Sequence, residues 1–291
     1  MQTAKFVFMN KHVIGETPGS KDKPMLFDFC YNNSIHNKAL IVFLHGFKGF
    51  KDWGHFTILS ETFSSLGYPF FKFNFSHNGT TPSHATELID AEAFAQNNIS
   101  MELHDTQFIL NYIKSNDSII PNKMNHLPII LMGHSRGGGV AILTTAQDSR
   151  VQALITLASL SKYGNFFGQK RYQEWRDKGV LFVLNSRTGQ QLPIYWQYME
   201  DLEKNADHLD ILTKSSLIQQ PWLIIHGSND EAVPLINAEQ LKQANVKSEL
   251  WVIENANHTF GGYHPYFENI LPADTLIWVK KAITFLDKQF E

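Results

Sequence analysis

Short unbroken apolar runs recur along the chain, and between them apolar residues return every three or four positions. Runs at 39–44, 68–75, 127–132, 151–158, 221–226 and 248–253 have the length of strands. Four of them (39–44, 127–132, 151–158 and 221–226) carry almost no polar side chain, as strands covered on both faces require. Helical spacing covers 53–66, where Phe56, Leu59, Phe63 and Leu66 repeat. It covers 100–114, with Ser100 as N-cap, Glu102 in the first turn, and Met101, Phe108, Ile109, Tyr112 and Ile113 as the apolar stripe. Further helices are expected over 136–147, near 235–244, and near 272–288 with Leu276, Val279, Ile283 and Leu286 on one face. The segment 4–31 reads as two or three antiparallel strands around a polar turn at 15–24, and 76–99 reads as a loop. Buried strands alternating with amphipathic helices predict an α/β fold with a doubly wound, mostly parallel central sheet.

The rhythm breaks between 159 and 220, where the composition turns aromatic: Tyr163, Phe166, Phe167, Tyr172, Trp175, Tyr195, Trp196 and Tyr198. A segment this long between consecutive core strands is not a plain loop. Helices are expected, with a hairpin of 180–184 against 191–194 that turns near 187–189. Two readings stand: a cap over the C-terminal ends of the strands, or a small second core that braces the sheet. On the first, 1–158 and 221–291 form the core and 159–220 the cap, with Tyr163, Phe166 and Trp196 as candidate pocket residues.

Composition narrows the partners. The chain has 291 residues, 43% of them hydrophobic, and a formal charge of −3 without a basic block, which argues against nucleic acid or an anionic membrane surface. Thirteen histidines show no metal-ligand spacing, so no metal site is expected. The single cysteine, Cys30, sits in an apolar run and reads as a buried thiol rather than a reactive one. No apolar run reaches eighteen residues, so no transmembrane segment is expected. Lys5, Asn10, Lys11 and His12 interrupt the first apolar stretch, so no signal peptide is visible and a cytoplasmic location is expected. Oligomeric state is left open.

The chemistry concentrates after the run 127–132. Gly133-His134-Ser135-Arg136-Gly137 is G-x-S-x-G between a strand and a helix. Its glycines permit the sharp turn that exposes a serine hydroxyl at a sheet edge, beside the positive end of the next helix. The competing reading is a turn that only helps the helix pack. A serine nucleophile needs a base, and the base an orienting acid. The strand 221–226 leads to Asp230, with Glu231 as its rival, and the strand 248–253 leads to His258, with His264 as its rival. The order Ser135, Asp230, His258 fits a nucleophile-elbow triad. Backbone N–H groups of Arg136 and of Phe47, in the loop after 39–44, are the candidate oxyanion donors. His45 and His134 read as structural.

The set His45-Gly46-Phe47, Gly133–Gly138, Gly227-Ser228-Asn229-Asp230 and Asn257-His258 resembles the α/β-hydrolase superfamily, over roughly 25–158 and 221–288. Within it, the chain resembles the dienelactone-hydrolase-like and cinnamoyl/feruloyl-esterase-like serine hydrolases. The resemblance implies an α/β-hydrolase fold with a cap and cleavage of a small-molecule carboxylic ester through an acyl-enzyme, with no cofactor. A small amidase or peptidase, or a non-catalytic receptor on the same fold, are the alternatives. Two departures stand out. Dienelactone hydrolases proper use cysteine where this chain has Ser135. The loop after 68–75 reads Ser76-His77-Asn78-Gly79 in place of an Arg-Gly-x-Gly turn, which makes His77 a further candidate pocket residue.

Overall fold

The computed structural model describes residues 10–121, 123–164 and 168–290. The chain opens with a hairpin of β1 (Lys11–Pro18) and β2 (Pro24–Tyr31), then enters β3 (Leu40–Leu44), α1 (Phe56–Ser65) and β4 (Phe70–Phe73). A short helix α2 (Ala91–Gln96) and a long one, α3 (Ile99–Lys114), precede β5 (Ile129–His134), α4 (Arg136–Thr145) and β6 (Val151–Leu157). An insertion follows: α5 (Gly168–Lys178), the hairpin β7 (Val180–Asn185) and β8 (Gln190–Tyr195), then α6 (Gln197–Lys204), α7 (Ala206–Leu209) and α8 (Ile211–Leu217). The chain returns through β9 (Trp222–Gly227), α9 (Ile236–Ala244), β10 (Glu249–Ile253) and α10 (Ala273–Phe290).

The main sheet runs β1-β2-β4-β3-β5-β6-β9-β10. Only the first two pairings are antiparallel; from β4 to β10 every pairing is parallel. All five residues of β3 are buried, and they alternate between faces. Leu40, Val42 and Leu44 join one apolar cluster, while Ile41 and Phe43 join the other. The first cluster also takes in α3, α4 and α9; the second holds α1 and α10. The fold is therefore the expected α/β architecture of helices on both faces of a mainly parallel sheet.

Four local expectations change. Half of the polar stretch 15–24 is strand, and the turn narrows to 19–23. Being at the sheet edge, β1 leaves its side chains largely exposed, so its polar pattern imitates a turn. The cap of α3 is Asn98, whose side chain accepts from the Met101 amide, two residues before the expected Ser100. Its buried face keeps Ile109 and Ile113 of the expected stripe, but Phe108 is exposed, while Glu102, Asp105 and Thr106 are buried. Those polar groups are tolerated because each is bonded; Asp105, for one, accepts from the Ser20 amide at 2.7 Å and the Ser76 amide at 2.8 Å. Finally, α10 is rotated about its axis relative to the expected face: it buries Trp278, Ala282 and Phe285 with Val279 and Leu286, and leaves Leu276 exposed.

The insertion has the expected hairpin, paired from Val180↔Tyr195 to Asn185↔Gln190. Trp175, Leu181, Ile194 and Tyr198 share an apolar cluster with the sheet residues Leu44 and Leu131. Its last helix, α8, packs against α4 and α9. The insertion thus continues the core on one face instead of forming a separate one.

Candidate active site

Strands β3, β5, β9 and β10 are parallel, so the loops that follow them open at one sheet edge. Ser135 sits in the turn between β5 and α4 with φ 56° and ψ −121°. That conformation is strained for a residue with a Cβ, by about 1–3 kcal/mol. The turn is tight enough that a Cβ on Gly133 would lie 2.3 Å from the Gly137 carbonyl oxygen, and one on Gly137 would lie 2.4 Å from that of His45. Only glycine fits at either place.

The three candidate side chains meet in this rim. His258 Nε2 lies 3.0 Å from Ser135 Oγ, and His258 Nδ1 lies 2.8 Å from an Asp230 carboxylate oxygen. Asp230 also accepts the amides of Ala232 at 2.9 Å and Val233 at 2.8 Å. Burial would raise its carboxyl, but hydrogen bonds from His226, His258 and the Val233 amide outweigh this and hold it far below the usual carboxylate range. The rivals stand apart: Glu231 is exposed, and His264 Nδ1 accepts the Gly54 amide at 2.9 Å.

Two histidines frame the arrangement. His134 Nε2 donates to the His258 carbonyl at 2.9 Å, which ties the histidine loop to the elbow. Burial, then the nearby His258, push its pKa down to about 3, so it stays neutral. His45 bonds the Gly46 carbonyl through Nδ1 at 2.9 Å, which leaves Nε2 to accept the Phe75 amide at 3.3 Å. It thereby shapes the loop that carries Phe47. Arg136 opens α4, where a first-turn N–H has no intrahelical acceptor. Among the described residues, neither its N–H nor that of Phe47 makes a loop or cap bond.

Two lobes meet at Ser135 and His258. One, a cavity of about 420 Å³, is walled by Trp175, Ile194 and Tyr198 of the insertion and by Leu160, Val233 and Phe47. The other, about 470 Å³, runs past Trp53, Phe56, His134 and Tyr263 toward Asn185 and Arg187 of the hairpin. Lys48 borders both, and its ammonium donates to the Leu184 carbonyl at 3.1 Å. The expected pocket residues lie behind this lining. Trp196 packs edge-on against Trp175, the Tyr163 hydroxyl donates to the Arg136 carbonyl at 3.0 Å, and His77 is buried against Ser76. Phe166 falls outside the described residues.

Sequence reasoning missed the side chain of Arg136. It is buried, paired through Nε and Nη2 with Glu102 of α3, and packed between the rings of Phe47 and Tyr198. A glutamate in a first helical turn reads as a dipole partner, and nothing in one sequence marks it as the counter-ion of a residue 34 positions away. His226 was also missed, although its place four residues before Asp230 at the end of an apolar strand was a usable signal. Its Nε2 donates to the Val233 carbonyl at 2.7 Å and lies 3.3 Å from Asp230.

Known proteins resemble this chain in sequence and in fold. A Mycoplasma genitalium protein provisionally named esterase/lipase 2 is 24% identical over 244 residues, which cover 76% of this chain and 83% of that protein. The solved structure of Est1E from Butyrivibrio proteoclasticus with ferulic acid bound superposes with a TM-score of 0.70 at 19% identity, covering 92% of this chain and 96% of that one. A puromycin-hydrolyzing peptidase of Mycobacterium tuberculosis gives a TM-score of 0.63 at 12% identity, covering 98% of this chain and 40% of that one. At these identities the solved structures speak for the α/β-hydrolase fold. The model of the prolyl oligopeptidase family matches residues 91–285, from α2 through most of α10, and the chain belongs to that family.

Proposed function

We propose that the chain is a serine hydrolase that cleaves carboxylic esters through an acyl-enzyme. The observation that carries this reading is the continuous bond path from Ser135 through His258 to Asp230. In the proposed cycle His258 Nε2 takes the Ser135 proton as Oγ attacks the ester carbonyl. Asp230 fixes the Nδ1–H tautomer and stabilises the imidazolium. The N–H groups of Phe47 and Arg136 bind the oxyanion. His258 then protonates the departing alcohol, and water activated by the same ring releases the acid. Residues 159–220 act as the cap that walls the first lobe. Its aromatic and aliphatic lining suits an aromatic or short acyl group. The esterase/lipase name of a relative supports the ester as substrate.

Amide cleavage is the second reading, favoured by the family description and by the peptidase among the structural neighbours. Matched 4-nitrophenyl esters and 4-nitroanilides of graded acyl length separate the two. The expected result is ester kcat/KM at least about a hundredfold above the anilide, and turnover reduced about 10⁴-fold or more in Ser135→Ala. Anilide turnover equal to that of the ester would favour the amidase. Ester turnover that survives in Ser135→Ala would overturn the mechanism.

A further inference from the structure

The second lobe carries chemistry that the reaction above does not use. Asn185 ends β7 and is only 5% exposed, yet its Nδ2 meets no hydrogen-bond acceptor among the described residues. Two residues on, the buried Nη2 of Arg187 likewise meets none. Both residues line the cavity that reaches Ser135. A buried donor without an acceptor is destabilising, so two in one lobe call for acceptor atoms from outside the chain. Lys48 adds an ammonium at the same lobe, and its bond to the Leu184 carbonyl, the one it makes among the described residues, leaves donor capacity over.

Among the described residues, no carboxylate lines this lobe. Acidic groups lie just outside the lining: Asp230 is bonded to His258 at 2.8 Å, Glu87 acts on Arg187 without reaching ion-pair distance, and Asp52 is held by Lys51 and Lys72. Three histidines also line the lobe, His134, His258 and His264. His134 is kept neutral by burial, and His264 Nδ1 is occupied by the Gly54 amide. Trp53, Phe56 and Tyr263 add flat apolar wall to the same lobe. The first lobe has the opposite character, with Trp175, Ile194 and Tyr198 facing Leu160 and Val233.

We propose that the second lobe binds a carboxylate carried on one arm of the substrate, received by Asn185 Nδ2, Arg187 and Lys48, with an aromatic or planar spacer against Trp53 and Phe56. The guanidinium and the amide supply directed donors, and the ammonium a point charge. This deepens the esterase reading, since it assigns the two lobes to unlike ends of one ester: an apolar end under the insertion and an acidic end under the hairpin turn.

The test uses unreactive probes, so it does not depend on ester cleavage. Binding of 4-nitrobenzoate and of the isosteric 4-nitrobenzamide to the wild-type protein is measured by calorimetry, then repeated with Arg187→Gln and with Asn185→Leu. The carboxylate should bind about tenfold tighter than the amide. In Arg187→Gln that preference should collapse to less than about threefold while amide affinity stays within about twofold, as expected when only the charge partner is removed. Asn185→Leu should weaken the carboxylate more than the amide. Equal affinity for the two probes, no measurable binding of either, or a preference that survives Arg187→Gln would overturn the proposal. Loss of ester turnover in the nitrophenyl series would count against the esterase reading and leave this result standing.

Discussion

Three buried histidines carry a pH dependence that the individual residues set. Burial lowers His45 and His55 to about 4, and burial with the neighbouring His258 lowers His134 to about 3, from an ordinary value of 6.5. Between those values and 6.5 the unfolded chain binds protons that the folded chain refuses. Stability is therefore full above about 6.5 and falls as pH drops toward 4, each histidine contributing up to about 1.4 kcal/mol per pH unit. Asp52, whose carboxyl is held at about 2 by Lys72 and Lys51 against the raising effect of burial, adds a loss of the same sign only below its ordinary 3.8. Thermal unfolding followed from pH 7.5 to 5 should show a falling midpoint, with more than one proton taken up per molecule unfolded near pH 5. A midpoint independent of pH over that range would contradict the neutral burial of these rings. At this scale the sequence was informative where chemistry demands a residue type at a fixed place in a loop. Ser135, Asp230 and His258 each follow a recognisable strand, so their meeting was legible. The bond of His134 to the His258 carbonyl was not, because it joins a side chain to a backbone group 124 residues away.

At the scale of elements, the informative departure is a charge inside a strand. Lys72 lies in the middle of β4 among phenylalanines and is 1% exposed. Across the antiparallel pair it faces Asp28 of β2, and both join Lys51 and Asp52 in a buried four-charge group. Lys72→Met keeps the strand's shape but leaves two carboxylates facing one ammonium, which should cost about 3–5 kcal/mol. Denaturant unfolding of this variant and of Lys72→Met/Asp28→Leu checks it. The double variant should recover part of the loss, and a single variant as stable as wild type would show that the group carries no net pairing. Opposite charges at the centres of two apolar runs were visible in the sequence, but their register was not, since it depends on β2 pairing with β4 rather than β3. The apolar strands β3, β5, β6 and β9 were readable because their covered faces exclude polar residues. The faces of α3 and α10 were misread for the converse reason: satisfied polar groups can be buried, and a helix can expose a leucine without penalty large enough to turn it.

For the molecule as a whole, strand order does the work of assembly. β5, β9 and β10 lie within four adjacent places of one parallel sheet, so residues 135, 230 and 258 come to one edge without any of the loops being long. Trp175, Ile194 and Tyr198 of the insertion line the cavity at that edge, its apolar side chains are merged with the sheet's own cluster, and its hairpin is bonded to Lys48. Its existence followed from the broken strand rhythm. Its lining did not, because a lining depends on which aromatic residues of a small packed unit face inward, and Trp175 and Tyr198 do so while Tyr163 and Trp196 pack behind them. The proposed function requires the fold to convert one hydroxyl into a nucleophile, and intact-mass labelling with a fluorophosphonate measures that property directly. The account predicts a single adduct on the native protein, located at Ser135, none on Ser135→Ala, and labelling slowed by about 10³-fold or more in His258→Ala. A native protein that takes no label, or a Ser135→Ala variant that labels as fast as wild type, would contradict it.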